Sequence, residues 1–157
     1  ILSLVLSGEL THTDSLGNKH VLKENQIQLM SAGSGIRHSE YNYSDSQVHL
    51  LQIWIEPFKN GLEPSYQQVD LDLNENIVLL ASYENGLTKI NQYCDVWYAR
   101  DIQDLSFTAK YEHQWIQVIN GNFHYEELVL EAGDGIGLHN TEIELFGSGS
   151  ILIFDMK

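Results

Sequence analysis

The stretch MSAGSGIRHSEYN, residues 30–42, gathers two glycines, a histidine and a glutamate at the start of what reads as a β-strand. In an extended chain, residues i and i+2 face the same side. His38 and Glu40 can therefore direct an imidazole nitrogen and a carboxylate oxygen at one point. Gly33 and Gly35 permit a sharp turn and a close backbone approach just before the pair. Such a mixed N/O pair suits Fe(II), Mn(II), Ni(II), Cu(II) or Zn(II). Two donors do not by themselves hold a catalytic metal, because three or more are usual. On spacing alone, His-x-Glu is more often an ordinary polar strand end.

Outward from this point, short apolar segments recur along the chain: Leu2–Leu6, Ile27–Met30, Val48–Ile55, Ile77–Ala81, Val96–Ala99, Trp115–Ile119, Leu128–Leu130 and Ser150–Phe154. Clusters of Gly, Asn, Asp and Ser separate them, and none carries a helical apolar period over three turns. The pattern predicts an all-β fold, a sandwich or a barrel. An internal echo points to duplication. VLSGEL (Val5–Leu10) matches VINGNF (Val118–Phe123), and each copy runs on through an apolar pair, Val21-Leu22 or Val129-Leu130, into a polar turn and another strand. Where the first copy has His-x-Glu, the second has His139-Asn140-Thr141-Glu142, without that motif.

Composition sets the outer bounds. In 157 residues, 8 basic against 22 acidic side chains give a net charge of −14, which argues against direct binding to nucleic acid or anionic membranes, since both need a basic face. A protein partner remains compatible with it. The single cysteine, Cys94, cannot form an internal disulfide, and it has no His or basic neighbour in sequence to activate it, so it is expected to be inert. A cytoplasmic location is expected. The apolar start ILSLVLSGEL is too short to span a bilayer and lacks the pattern of a signal peptide. It begins mid-pattern, as if an earlier stretch preceded Ile1.

MSAGSGIRHSEYN, followed by LLQIWIEPFKNGLEPSYQQ, resembles the pirin family, especially its shorter bacterial quercetin-dioxygenase-like members. THTDSLGNKHVL fits that family's H-x-DS-x-GN hairpin, and WIQVINGN and the closing ILIFD fit its C-terminal half. The likeness covers essentially the whole chain, most specifically Thr11–Gln67 and less so Val69–Ala109. It implies a bicupin in the cupin superfamily: a partial N-terminal cupin domain over residues 1–68, its barrel incomplete at the N-terminus, and a C-terminal cupin domain over 69–157 without a metal site. The family's single metal, usually iron, is held by three histidines and a glutamate. His38 and Glu40 match two of them, while the other two come from an H-x-H motif upstream of Ile1, so this chain alone lacks half the set.

The implied reaction is dioxygenation of a flavonol such as quercetin, with Glu40 as ligand and proton acceptor. The implied cofactor is one divalent transition metal, with Fe first and Zn, Mn, Ni or Cu as alternatives, or none in this chain. The implied partners are a flavonol and dioxygen. The other expectation is a non-enzymatic, regulatory or protein-binding cupin. Among the remaining residues, His12 and His20 are expected in turn or surface roles, His49 and Trp54 in the core, and Tyr66 closing a linker onto the first barrel. Arg37, Tyr41 and Tyr43 are candidates for a pocket lining and equally for turn and surface roles.

Overall fold

A computed structural model describes residues 1–139 and 142–157. Asn140 and Thr141, in the stretch where the second copy lacks His-x-Glu, lie outside the described residues. Among the described residues the structure is all β, and no helix is long and apolar enough to cross a membrane. Seven of the eight segments expected as strands fall wholly on strands, and the eighth, Val48–Ile55, is strand over residues 49–53. The chain divides into two compact units, Ile1–Leu73 with Ile90–Gln92, and Asn74–Lys89 with Tyr93–Lys157.

The first unit holds two antiparallel sheets. One runs in the order β6 (His49–Ile53), β1 (Leu2–Ser7), β4 (Gln26–Ser31), β7 (Ser65–Asp70). The other runs β3 (Lys19–Lys23), β2 (Glu9–Asp14), β5 (His38–Tyr41). Gly8 joins β1 to β2 at φ +78°, where a Cβ would run into the Gln47 carbonyl; only glycine meets both demands without strain. Val5, Leu10 and Leu22 are buried together, with Val48 and Leu50 against them. Gly33 plays the part expected of it. Its φ is +55°, and an added Cβ would collide with the backbone of Leu62–Pro64.

Trp54 departs from expectation. It is 75% exposed, just past the end of β6, and its indole N–H donates to Gln52 Oε1 at 3.1 Å. Residues 52, 54 and 56 share one parity, so the alternation of a strand puts Trp54 on the face of Gln52 and Glu56, not with the core. His49 also differs, being exposed at the first position of β6.

In the second unit, β8 (Ile77–Ser82), β9 (Thr88–Lys89), β10 (Cys94–Thr108), β11 (His113–Tyr125), β12 (Leu128–Glu131), β13 (Gly135–Leu138) and β14 (Glu142–Met156) form one seven-stranded sheet. Its long strands bend where the pairing slips, at Ala99–Ile102 and Val118–Asn120, the usual effect of a bulge. Ile116, Val118, Phe123, Ile143, Ile151 and Ile153 sit at the centre of its core, each at most 1% exposed. The echo is structural as well as textual. Gly121 sits in β11 at φ +78°, the value found at Gly8, and an added Cβ would meet the Ser148 carbonyl. The matching turns carry Asn25 at φ 62° and Gly133 at φ 95°.

Cys94 opens β10 buried, and burial, then the Asp95 and Asp155 carboxylates, push its thiol up to about 12. The native protein should therefore leave a disulfide reagent unreacted at pH 8 and take up one equivalent only after denaturation. Stoichiometric labelling of native protein would contradict this environment.

Candidate metal centre

The three-stranded sheet assembles the site through its pairing. His12 lies opposite Glu40 and Asp14 opposite His38 across β2 and β5, while His20 lies opposite His12 across β2 and β3. Directly opposed residues share a face, so one face carries His12, Asp14, His20, His38 and Glu40. The other face carries Thr11, Thr13, Ser39 and Tyr41. Tyr41 is therefore outside the site; its ring lies 4.4 Å from that of Tyr43, tilted by 41°, and both are exposed. Arg37 is exposed too, its backbone tied to Ser15.

The four-stranded sheet supplies a polar row, Gln52–Ser3–Gln28–Gln68, in which each residue is paired with the next across β6, β1, β4 and β7. This row meets the histidine–carboxylate face. Gln52 Nε2 donates to Glu40 Oε2 at 2.9 Å, and Gln28 Nε2 lies 3.3 Å from His12 Nδ1 and 3.5 Å from Glu40 Oε1. Glu40 Oε1 is 3.8 Å from His12 Nδ1. Between the two glutamines, Ser3 Oγ is buried with no hydrogen-bond partner among the described residues.

His12 corrects the surface role expected for it. It is fully buried, and its Nε2 is 3.1 Å from Asp14 Oδ2. The hairpin explains why. Asp14 Oδ1 accepts from the Leu16 and Asn18 amides at 2.9 and 3.1 Å, and Asn18 Nδ2 reaches Oδ2 at 2.8 Å, so the carboxylate organises the turn in the manner of an Asx turn. Burial opposes its ionisation, but the bonds from Asn18, His12 and Leu16 outweigh it and hold the carboxyl down at about 2. An ionised Asp14 only accepts, so the ring proton is assigned to Nε2 of His12. In the neutral ring, Nδ1 is then left to accept from Gln28.

Tyr66, in β7, extends this chain. Its hydroxyl lies 2.8 Å from Gln68 Oε1 and 3.2 Å from Gln28 Oε1, its ring stacks on His20 at 5.1 Å, and it sits 5.0 Å from His12. Burial, then the charges of Asp14 and Glu40, raise it to about 12, so it remains a donor. Protons thus point one way from Gln28 to His12 to Asp14, with the Tyr66 hydroxyl shared between Gln68, the nearer acceptor, and Gln28. Tyr66→Phe should cost about 1 kcal/mol, read as a melting point lower by about 2–4 °C. An unchanged melting point would remove Tyr66 from the network.

His38 is exposed at the rim, its ring 5.8 Å from that of His12, and Glu40 is half-buried beside it. Sequence reasoning found this pair and missed Asp14, Gln28 and Gln52; the strand alternation of ELTHTD was the available signal. A cavity of about 530 Å³ in the same unit, lined by Leu29, Trp54, Ile55, Leu62 and others, has neither His38 nor Glu40 in its wall.

Comparison with known proteins identifies the family. A family model described as pirin matches residues 1–55, and one for the quercetinase C-terminal cupin domain matches residues 79–156. Quercetin 2,3-dioxygenase of Escherichia coli K12 is 35% identical over 165 residues, covering 99% of this chain and 71% of that protein. The chain belongs to the pirin family. Its fold is accordingly that of a cupin-superfamily bicupin, and solved pirins agree. The Escherichia coli protein YhhW superposes with a TM-score of 0.91 at 33% identity, over 99% of this pirin and 70% of that chain. A second structure, of bacterial pirin YhhW in complex with nickel(II), gives 0.89 at 33% identity, over 99% and 71%.

Proposed function

We propose that this pirin is a metal-dependent oxidoreductase of the quercetin 2,3-dioxygenase type, with His38 and Glu40 as two of the ligands to one divalent transition metal. The carrying observation is the cross-strand pairing that sets His38 and Glu40 on one face with Glu40 Oε2 already oriented by Gln52. An imidazole and a carboxylate fit a borderline divalent ion, and the unpartnered Ser3 hydroxyl in the adjoining row marks an interior built for more polar company. Ligation is assigned to N-terminal residues, within a cupin domain over residues 1–68. The remaining two ligands are assigned to an H-x-H motif that precedes Ile1 in the family. Iron is the first choice of metal, with nickel, zinc, manganese and copper as alternatives, and the cytoplasm is the assigned location.

The metal, when bound, supplies Lewis-acid activation of a flavonol and of dioxygen. The chain's own residues do the rest. Glu40 accepts the flavonol hydroxyl proton at the carboxylate oxygen that Gln52 leaves free. His12, clamped by Asp14, fixes the amide of Gln28 against Glu40, and Tyr66 holds that amide from its other end. The fold by itself is a weak warrant for chemistry, so the test is direct. Metal content and oxygen uptake with quercetin are measured on the same preparation. Metal with quercetin-dependent uptake supports the enzyme; metal without uptake favours the second reading, a regulatory cupin with a protein partner, for which the acidic surface leaves room.

A further inference from the structure

We propose a second metal site, in the other unit, formed by Glu112, His113 and His139 and selective for a divalent ion of the zinc or nickel type. The pairing of β11 with β13 matches Gln114 to Leu138, and one step further out that brings His113 beside His139. Their rings are 4.7 Å apart and their Nδ1 atoms 3.2 Å apart. Two bonds of about 2.05 Å to a shared tetrahedral ion place the nitrogens about 3.3 Å apart, close to the spacing already present. Glu112 adds a carboxylate, and one donor atom from each of the three residues lies within 4.8 Å of the other two.

Two imidazoles and one carboxylate are the donor chemistry of borderline ions, not of Mg(II) or Ca(II). All three residues are exposed, so the ion is reached without opening the core and keeps water in its remaining positions. The nearest cation in sequence does not compete, because Lys110 Nζ is held 2.8 Å from Glu84. The chain's net charge of −14 adds a field that favours cations. The His38–Glu40 motif plays no part here. A metal at this point would clip the start of β11 to the end of β13.

Zinc chloride is the probe, followed by calorimetric titration and by elemental analysis after gel filtration. The expected result is one zinc equivalent that is lost in the double variant His113→Ala/His139→Ala. That equivalent is kept in His124→Ala and in His38→Ala/Glu40→Ala, and Glu112→Gln weakens it by at least ~10-fold. Because ligation needs deprotonated imidazoles, uptake releases protons and weakens on acidification. Imidazole ¹⁵N spectra of the unmodified protein provide a readout independent of any variant: zinc should shift the Nδ1 signals of His113 and His139. Zinc stoichiometry unchanged in the double variant, or Nδ1 signals that do not move, would overturn the site.

Discussion

Glu40→Ala and His38→Ala are each expected to empty the His38–Glu40 centre of its metal, leaving any equivalent at His113 and His139 in place, and to lower quercetin-dependent oxygen uptake by more than ~100-fold, since even outer partners of metal ligands are worth 10- to 100-fold. Both residues lie on the rim of a three-stranded sheet whose pairing does not depend on their side chains, so circular dichroism should report an unchanged fold. Gln52→Ala, which removes the 2.9 Å bond orienting Glu40 Oε2, should fall between these variants and the wild type. Elemental analysis and an oxygen electrode, applied to the whole protein, decide the matter. Full metal occupancy in both alanine variants would sink the ligand assignment.

Asp14→Ala should produce the largest loss of stability. The carboxylate is buried and takes bonds from His12, Leu16 and Asn18, so its removal leaves several donors without an acceptor. The expected cost is ~3 kcal/mol, or a melting point lower by about 6–12 °C. The same residue dictates an acid limb. Its carboxyl is held at about 2 against an ordinary 3.8, a depressed value, so its contribution is complete above about pH 4 and drains away as pH falls towards 2. Urea unfolding at pH 7, 4, 3 and 2 should show this loss in the wild type and its absence in Asp14→Ala. Identical acid profiles would mean that the carboxylate is not the clamp described here.

The strands were legible where apolar runs are long, and the duplication was legible because Gly8 and Gly121 stand at the same place in two matching phrases. The short, polar β2 and β3 were visible only through the family's hairpin signature, while β5 was legible in the His38–Glu40 stretch itself. His12 illustrates why. Flanked by threonines beside a turn, it carries every local mark of a surface residue. What buries it is Gln28 and Tyr66, which lie 16 and 54 positions away and arrive only when the two sheets meet. The His113–His139 pair is hidden in the same way, by a separation of 26 residues that β-pairing closes. Trp54 is a different case, since its shared parity with Gln52 and Glu56 was already written in LLQIWIEP.

The opposed placement of His12 with Glu40 and Asp14 with His38 has a consequence for how such a chain can change over generations. The constellation is stored as a count, not only as a set of residue types. One residue gained or lost between Glu9 and Thr13 would turn His12 and Asp14 outward and bring Thr11 and Thr13 in their place. The damage would be total although no site residue had been altered. The segment between Asn42 and Val48 can lengthen without that inversion, whereas the Ser15–Asn18 turn is fixed by its bonds to the Asp14 carboxylate. Descendants of this sequence should therefore vary in length between Asn42 and Val48, while the spacing from Glu9 to Asn18 and from His38 to Tyr41 stays untouched.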